Sequence, residues 1–394
     1  MTMGQVTDRL MTRDLTADDL DAAFDVRSRS FGRLSPSLRE WWIGVQRVSI
    51  QEHRSIGAFD GERLVAHARV HSYEQFWGGR PMPMGGVAGV VVAPDARGRG
   101  VGTHLMTAVA QRSLELGDLV SALYPATIPI YRALGWEVAG AQHRISLSAQ
   151  SLRNLGGKDV PLRTATESDV GPFRRTLYER YGAQRANGPR LPSESEAREQ
   201  LTDDGMMSYV TDGGHVVFEW SNEDLVVSYL SAVTPEIARA LWSVVGSGSS
   251  IVKNVVAYVA PDDPVHLLLP EEVAHETHLK RWMLRVLDVP KAIAARGFSP
   301  AVTGSAAVAL QDPQLPANNG SWQLEVSAGR AELIASKTTK ASLLLGPNGF
   351  AGLYAGTPVY ALRAAGLASG GEPVGDALLD AAFAGPAAYL LEYF

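Results

Sequence analysis

The stretch Val90-Val91-Val92-Ala93-Pro94-Asp95-Ala96-Arg97-Gly98-Arg99-Gly100-Val101-Gly102 decides how this chain is read. Three successive valines favour a strand, and Pro94 and Asp95 end it. Gly98, Gly100 and Gly102 allow a tight turn and a close approach of backbone to a ligand. Beyond them Val101, Leu105, Met106, Val109 and Leu116 recur at helical spacing, with Gly117 as the stop. A strand, a basic glycine-rich turn and a helix start make an anion site. The first N–H groups of a helix lack intrahelical partners, and the macrodipole is positive there. Arg97 and Arg99 add two guanidinium forks. A Walker loop is excluded because no Gly-Lys-Ser/Thr follows. The dinucleotide fingerprint is excluded because Thr103 stands where its third glycine or alanine belongs.

Around that stretch, Thr16-Ala17-Asp18-Asp19 is a helix start, with Thr16 as cap and Asp19 in the reciprocal position. Leu20, Phe24 and Phe31 follow near one face. Pro36-Ser37 begins a second helix in which Leu38, Trp41, Trp42 and Val45 cluster. Asp60-Gly61, between alternating Ile56–Ala58 and Leu64–Val70, is a hairpin signal. Pro81, Pro83 and Gly85-Gly86 predict a loop before the valine strand. Leu119 to Tyr124 reads as a strand and Pro129 to Gly135 as a short helix. Trp136–Val138 and Arg144–Leu147 read as a closing pair of strands.

The pattern then repeats. Thr166-Glu167-Ser168-Asp169 precedes Val170, Phe173, Leu177 and Tyr181 at helical spacing, and Glu194 to Leu201 is a second helix. Asp212-Gly213-Gly214 joins Ser208–Thr211 to His215–Trp220 as a hairpin. Asp224 to Leu230 matches the valine strand by position. Where the basic turn belongs, the chain reads Thr234-Pro235-Glu236, a capped helix start with no Arg-x-x-Gly-x-Gly. A third region opens near Leu284. It carries a short helix ending at Gly297, strands Val302–Leu310 and Trp322–Val326, helices Ser342–Tyr354 and Asp376–Phe383, and an apolar, aromatic end at Tyr389-Leu390-Leu391-Glu392-Tyr393-Phe394.

With 394 residues the chain has room for two or three domains. It is 45% hydrophobic and 20% charged, with a net charge of −6, which gives no footprint for a nucleic acid. The absence of cysteine excludes disulfides, thiolate nucleophiles and cysteine metal sites. Polar Asp8, Arg9, Arg13, Asp14, Asp18 and Asp19 read against a secretory leader, and no apolar run is long enough to span a membrane. A cytoplasmic location is the expectation. His67 and His71 share a strand face, and His275 and His278 lie three apart. None has a carboxylate or cysteine partner at ligand spacing, so no metal is expected.

Arg97-x-x-Gly100-x-Gly102 between a strand and a helix resembles the pyrophosphate-binding signature of the GCN5-related N-acetyltransferases. The order of elements over residues 1–148 is similar to theirs. Three further features narrow the resemblance: a second copy without the loop, Arg285-Val286-Leu287-Asp288-Val289-Pro290 before the third region, and an aromatic last residue. Together they resemble the Eis (enhanced intracellular survival) family, most sharply at residues 90–102, 130–136, 282–297 and 391–394. The resemblance implies an α/β (α+β) chain of two tandem GCN5-related N-acetyltransferase domains, 1–148 and 149–283, and a sterol-carrier-protein-like domain, 284–394. It implies acetyl-CoA as donor, held by main-chain groups of Val90 and Val92 and by Arg97, Gly98, Arg99, Gly100, Val101 and Gly102. It implies Tyr131 as the general acid that protonates the leaving thiolate, and the main-chain carboxylate of Phe394 as the general base. Phe31, Trp41, Trp42 and Glu392 are candidates for the acceptor pocket. A family serine that contacts the donor is matched by Ala126, and an acidic penultimate residue by Tyr393. The family forms hexamers, so a homo-oligomer is expected.

The expected function is transfer of acetyl groups to primary amines of a multi-amine small molecule such as an aminoglycoside. A protein or peptide lysine or N-terminal acetyltransferase is the enzymatic alternative. A lipid- or ligand-binding protein that works through its third domain is the non-enzymatic one.

Overall fold

A computed structural model describes residues 10–221, 224–269, 274–336 and 342–394; Asp8 and Arg9 lie outside them, as does the side chain of His275. The first unit runs β1 (Leu10–Asp14), α1 (Leu20–Phe31), α2 (Pro36–Gln51), β2 (Ser55–Asp60), β3 (Arg63–Trp77), β4 (Arg80–Val92), α3 (Val101–Glu115), β5 (Val120–Leu123), α4 (Ile128–Ala133) and β6 (Glu137–Ser148). The Asp60-Gly61 hairpin forms, with Asp60 opposite Arg63. Thr16 starts its helix as the spacing predicts: its amide and hydroxyl both donate to Asp19 Oδ2, at 2.8 and 2.9 Å.

Pro81 and Pro83 do not lie in a loop. Both are inside β4, opposite Phe76 and Glu74 of β3. The Pro83 carbonyl accepts from Leu119, on the side away from β3, at 3.0 Å. The missing proline N–H therefore points away from β3, before β5 pairing begins at Met84, and no ladder bond is lost. Trp136–Val138 and Arg144–Leu147 are likewise not two strands, because β6 is continuous through Gly140.

The second unit runs β7 (Arg163–Thr164), α5 (Val170–Ala183), β8 (Arg190–Leu191), α6 (Glu194–Thr202), β9 (Met206–Thr211), β10 (Gly214–Ser221), β11 (Asp224–Ala232), α7 (Pro235–Gly246), β12 (Asn254–Val259) and β13 (Ala274–Val286). Its last strand inserts between β5 and β6 of the first unit, while β6 pairs with β12. The two units thus share one sheet, in the order β1-β2-β3-β4-β5-β13-β6-β12-β11-β10-β9-β7 among the described residues.

The third unit holds α8 (Val289–Ala295), β14 (Gly304–Leu310), β15 (Gly320–Ser327), β16 (Arg330–Ala335), β17 (Leu343–Leu345), α9 (Pro347–Tyr354), α10 (Val359–Ala364), β18 (Ala368–Gly370) and α11 (Pro373–Phe383). Its sheet has the order β16-β15-β14-β17-β18. Leu343–Leu345 is a strand rather than the first turn of a helix. Leu343 and Leu345 are buried, Leu344 is exposed, and Pro347 begins α9 two residues later. Phe298, Phe350, Tyr354 and Phe383 pack with Trp77, Met82 and Trp282 into one core that joins the third unit to the first and to the last strand of the second. No described helix is long and apolar enough to cross a membrane.

Candidate active site

β4 outruns its neighbour. It pairs with β5 from Met84 to Val87, where β5 ends, and continues to Val92 with that edge unpaired among the described residues. Past that point a bulge shifts the register between His67/Val91 and Arg69/Ala88. Ala93 N–H donates to Val65 of β3, so by alternation the main-chain groups of Val90 and Val92 face the opened side. The Val92 carbonyl accepts from Ser30 Oγ at 3.1 Å and Arg97 Nε at 3.3 Å.

The basic turn follows at once. Gly100 caps α3 in the left-handed conformation, φ +77°, and no side chain caps the helix. The N–H groups at the start of α3 are left for a ligand. Arg97 to Gly100 are exposed, Val101 is buried beneath them, and Gly102 sits where α3 meets Ile130 of α4. Arg99 is drawn to Asp60 at 2.9 Å, whereas no carboxylate among the described residues pairs with Arg97. This arrangement fits a pyrophosphate: free amides, a helix dipole and a guanidinium with no carboxylate partner lie beside an open strand edge.

Tyr131, on α4, is 7% exposed and packs in the core of the first unit. Burial raises its phenol above the ordinary value, and nearby Tyr393 adds to that. The C-terminal segment reaches the same region. The Phe394 ring sits 5.2 Å from Tyr73 and 5.6 Å from Tyr124, against Gly86 of β4. Among the described residues the tail forms no strand and makes one isolated bridge, Ala141 with Tyr389. Side chains fasten it instead. Gln142 Nε2 donates to the Leu391 carbonyl at 2.7 Å and Tyr124 Oη to the Glu392 carbonyl at 2.9 Å.

A family can now be assigned. Models of an acetyltransferase (GNAT) domain match residues 11–139 and 191–286, and a sterol carrier protein domain matches 289–391. A GCN5-related N-acetyltransferase from Kribbella flavida is 46% identical in sequence, with a TM-score of 0.96 over 98% of both chains. The chain belongs to the GCN5-related N-acetyltransferases. N-acetyltransferase Eis of Mycobacterium tuberculosis is 28% identical over 270 residues, 64% of this chain and 65% of that one. Eis1 of Mycobacterium abscessus shares the whole-chain fold: TM-score 0.75, 22% identity, 98% of this chain and 100% of that chain covered. The two tandem acetyltransferase domains and the sterol-carrier-like domain are as the resemblance implied. An acetyltransferase also sets aside the non-enzymatic alternative.

In this acetyltransferase the candidate acceptor residues lie in different surroundings. Phe31 and Trp41 are 60% and 59% exposed, whereas Trp42 is 5% exposed and packs in the core, 5.5 Å from Phe24 and 6.1 Å from His67. Glu392 is already engaged. Its carboxylate accepts from the Tyr229 hydroxyl and lies 3.3 Å from Arg190 Nε. His67, buried against the Ala23 carbonyl, is pushed down to about 4 by burial.

The residues that do line the Phe394 end escaped the sequence reading. His71 stacks on Tyr73 at 5.4 Å, and Arg69 Nε donates to it at 3.2 Å. Burial, with Arg69 and Arg190 adding, pushes His71 down to about 4, so it is neutral at pH 7. Burial raises Tyr73 to about 12. Period-two alternation after His67 would have placed Arg69, His71 and Tyr73 on one face. Nothing local marks Arg190, which comes from the second unit.

Proposed function

We propose that this acetyltransferase moves the acetyl group of acetyl-CoA to a primary amine of a multi-amine small molecule such as an aminoglycoside. The donor lies along Val90–Val92, with its pyrophosphate on the amides of Arg97 to Gly102. The observation that carries the reading is the uncapped, left-handed Gly100 start of α3 beside the edge of β4 that runs on past the end of β5.

The amine nitrogen attacks the thioester carbonyl carbon, the C–S bond breaks, and two protons must move. Tyr131 donates one to the leaving thiolate, and its raised phenol keeps that proton at neutral pH. The Phe394 carboxylate takes the other from the amine. The packing of the Phe394 ring on Tyr73 and Tyr124, against Gly86 of β4, supports that role.

The test is CoA release from acetyl-CoA against aminoglycosides, polyamines and lysine-containing peptides. Turnover with multi-amine small molecules is expected. Turnover with peptides alone would replace this reading with protein acetylation.

A further inference from the structure

We propose that the second, loop-less domain serves the first by seating the C-terminal segment, with Arg190 as the positioning residue of that seat. The inference rests on the reading of the Phe394 carboxylate as base.

Residues 186–190 of the second domain are stitched to the first. Gly79 N–H donates to Ala186, Gly188 N–H to Phe76 and Phe76 N–H to Pro189, at 3.0, 2.7 and 2.8 Å. The tail lies on this saddle. Asn187 Nδ2 donates to the Pro386 carbonyl at 2.9 Å, and Tyr389 N–H to the Asn187 carbonyl at 3.1 Å. Two glycines leave the gap it threads. A Cβ at Gly140 would strike the Ala388 carbonyl, and one at Gly188 would sit 2.5 Å from that of Tyr389.

Arg190 closes the seat near the last residue. It is 7% exposed. Nη1 holds Glu196 at 2.7 Å, Nε lies 3.3 Å from Glu392, and the guanidinium covers the Tyr73 ring at 4.4 Å. Tyr73 in turn bears the Phe394 ring. The guanidinium hydrogen-bonds Glu196 and forms an ion pair with Glu392 while its planar face covers an aromatic ring, a combination a compact ammonium does not offer. Buried ion pairs add little net stability, and their best-attested use is to set register. The register fixed here is that of the two residues after Glu392.

The test compares Arg190→Gln, Arg190→Lys and Glu392→Gln in the full chain, each with and without a Gly-Ser extension after Phe394. The readouts are release of Phe394 by a carboxypeptidase from the unextended proteins, and kcat and KM for acetyl-CoA with a deoxystreptamine aminoglycoside as acceptor. Arg190→Gln should expose Phe394 to the peptidase and lower kcat by about 10- to 100-fold, with KM for acetyl-CoA unchanged. Lysine should restore part of the loss. Glu392→Gln, which leaves Arg190 with Glu196, should show the same pattern more weakly. In the extended chain Arg190→Gln should cost nothing more. A protected Phe394 with normal kcat in Arg190→Gln would overturn the proposal, as would an equal loss in the extended chain. If the extension alone leaves activity intact, the carboxylate reading fails, and the peptidase result still decides whether Arg190 seats the tail.

Discussion

The two acetyltransferase domains begin with the same device and end with opposite ones. In the first, Arg13 grips Asp19 at 2.7 and 2.9 Å while Thr16 donates to the same carboxylate. In the second, Arg163 grips Asp169 at 2.7 Å twice, and Thr166 donates likewise. Parallel pairing in the shared sheet also stops at matching places in the two domains. β11 pairs with β12 only over Leu225–Val227, as β4 pairs with β5 only up to Val87.

Past that point they differ. The first domain opens onto an uncapped helix start at Gly100. In the second, Thr234 caps α7 with its own hydroxyl, and Pro235 removes an amide. Arg180 fills the space past the β11–β12 pairing. It donates to the Leu230 carbonyl and pairs with Asp263 at 3.2 Å, leaving a void of about 10 Å³ among Arg180, Tyr229, Asp263 and Tyr389. The second domain keeps the sheet, while a capping residue and an arginine occupy the places that stay open in the first.

The comparison can be broken at several points. Tyr131→Phe should lower kcat by roughly 10²- to 10⁴-fold with acetyl-CoA affinity unchanged in calorimetry; retained turnover would remove the phenol from the mechanism. Arg180→Ala leaves Asp263 buried without its partner. It should cost about 3 kcal/mol in chemical denaturation yet leave acetyl-CoA affinity alone. A weakened affinity would mean that the space past the β11–β12 pairing binds donor. Arg97→Ala should do the reverse, raising the Kd for acetyl-CoA about tenfold with no loss of stability.

The smallest effect concerns what the domains share. Their arginines hold Asp19 and Asp169 down to about 2 from an ordinary 3.8. A carboxyl depressed in the folded state binds protons more weakly there than when unfolded. Its stabilisation is therefore full above about pH 4 and lost as pH falls toward 2. Asp19→Asn and Asp169→Asn should each flatten the stability–pH curve in that window, by similar amounts. Unequal flattening would show that the shared device carries different loads.

Much of this was legible from local rules. The turn at 97–102, the hairpins at Asp60-Gly61 and Asp212-Gly213-Gly214, and the starts at Thr16, Thr166 and Thr234 depend on neighbours a few residues away. What escaped depends on distant partners. Pro81 and Pro83 sit in a strand because their missing amides face the side that β5 has not yet reached. Trp41 and Trp42 look alike in sequence, and only the docking of α2 on the sheet sends one to solvent and one to the core. Glu392 reads as a free acid near the acceptor until Tyr229, 163 residues away, and Arg190 take its carboxylate. The insertion of β13 between β5 and β6 leaves no mark in either strand's pattern.

The most direct test of the central claim is the stoichiometry of acetyl-CoA binding to the intact chain by titration calorimetry. One molecule per chain, weakened by Arg97→Ala and indifferent to Arg180→Ala, is the predicted result. Two molecules per chain, or one that Arg180→Ala weakens and Arg97→Ala does not, would contradict it.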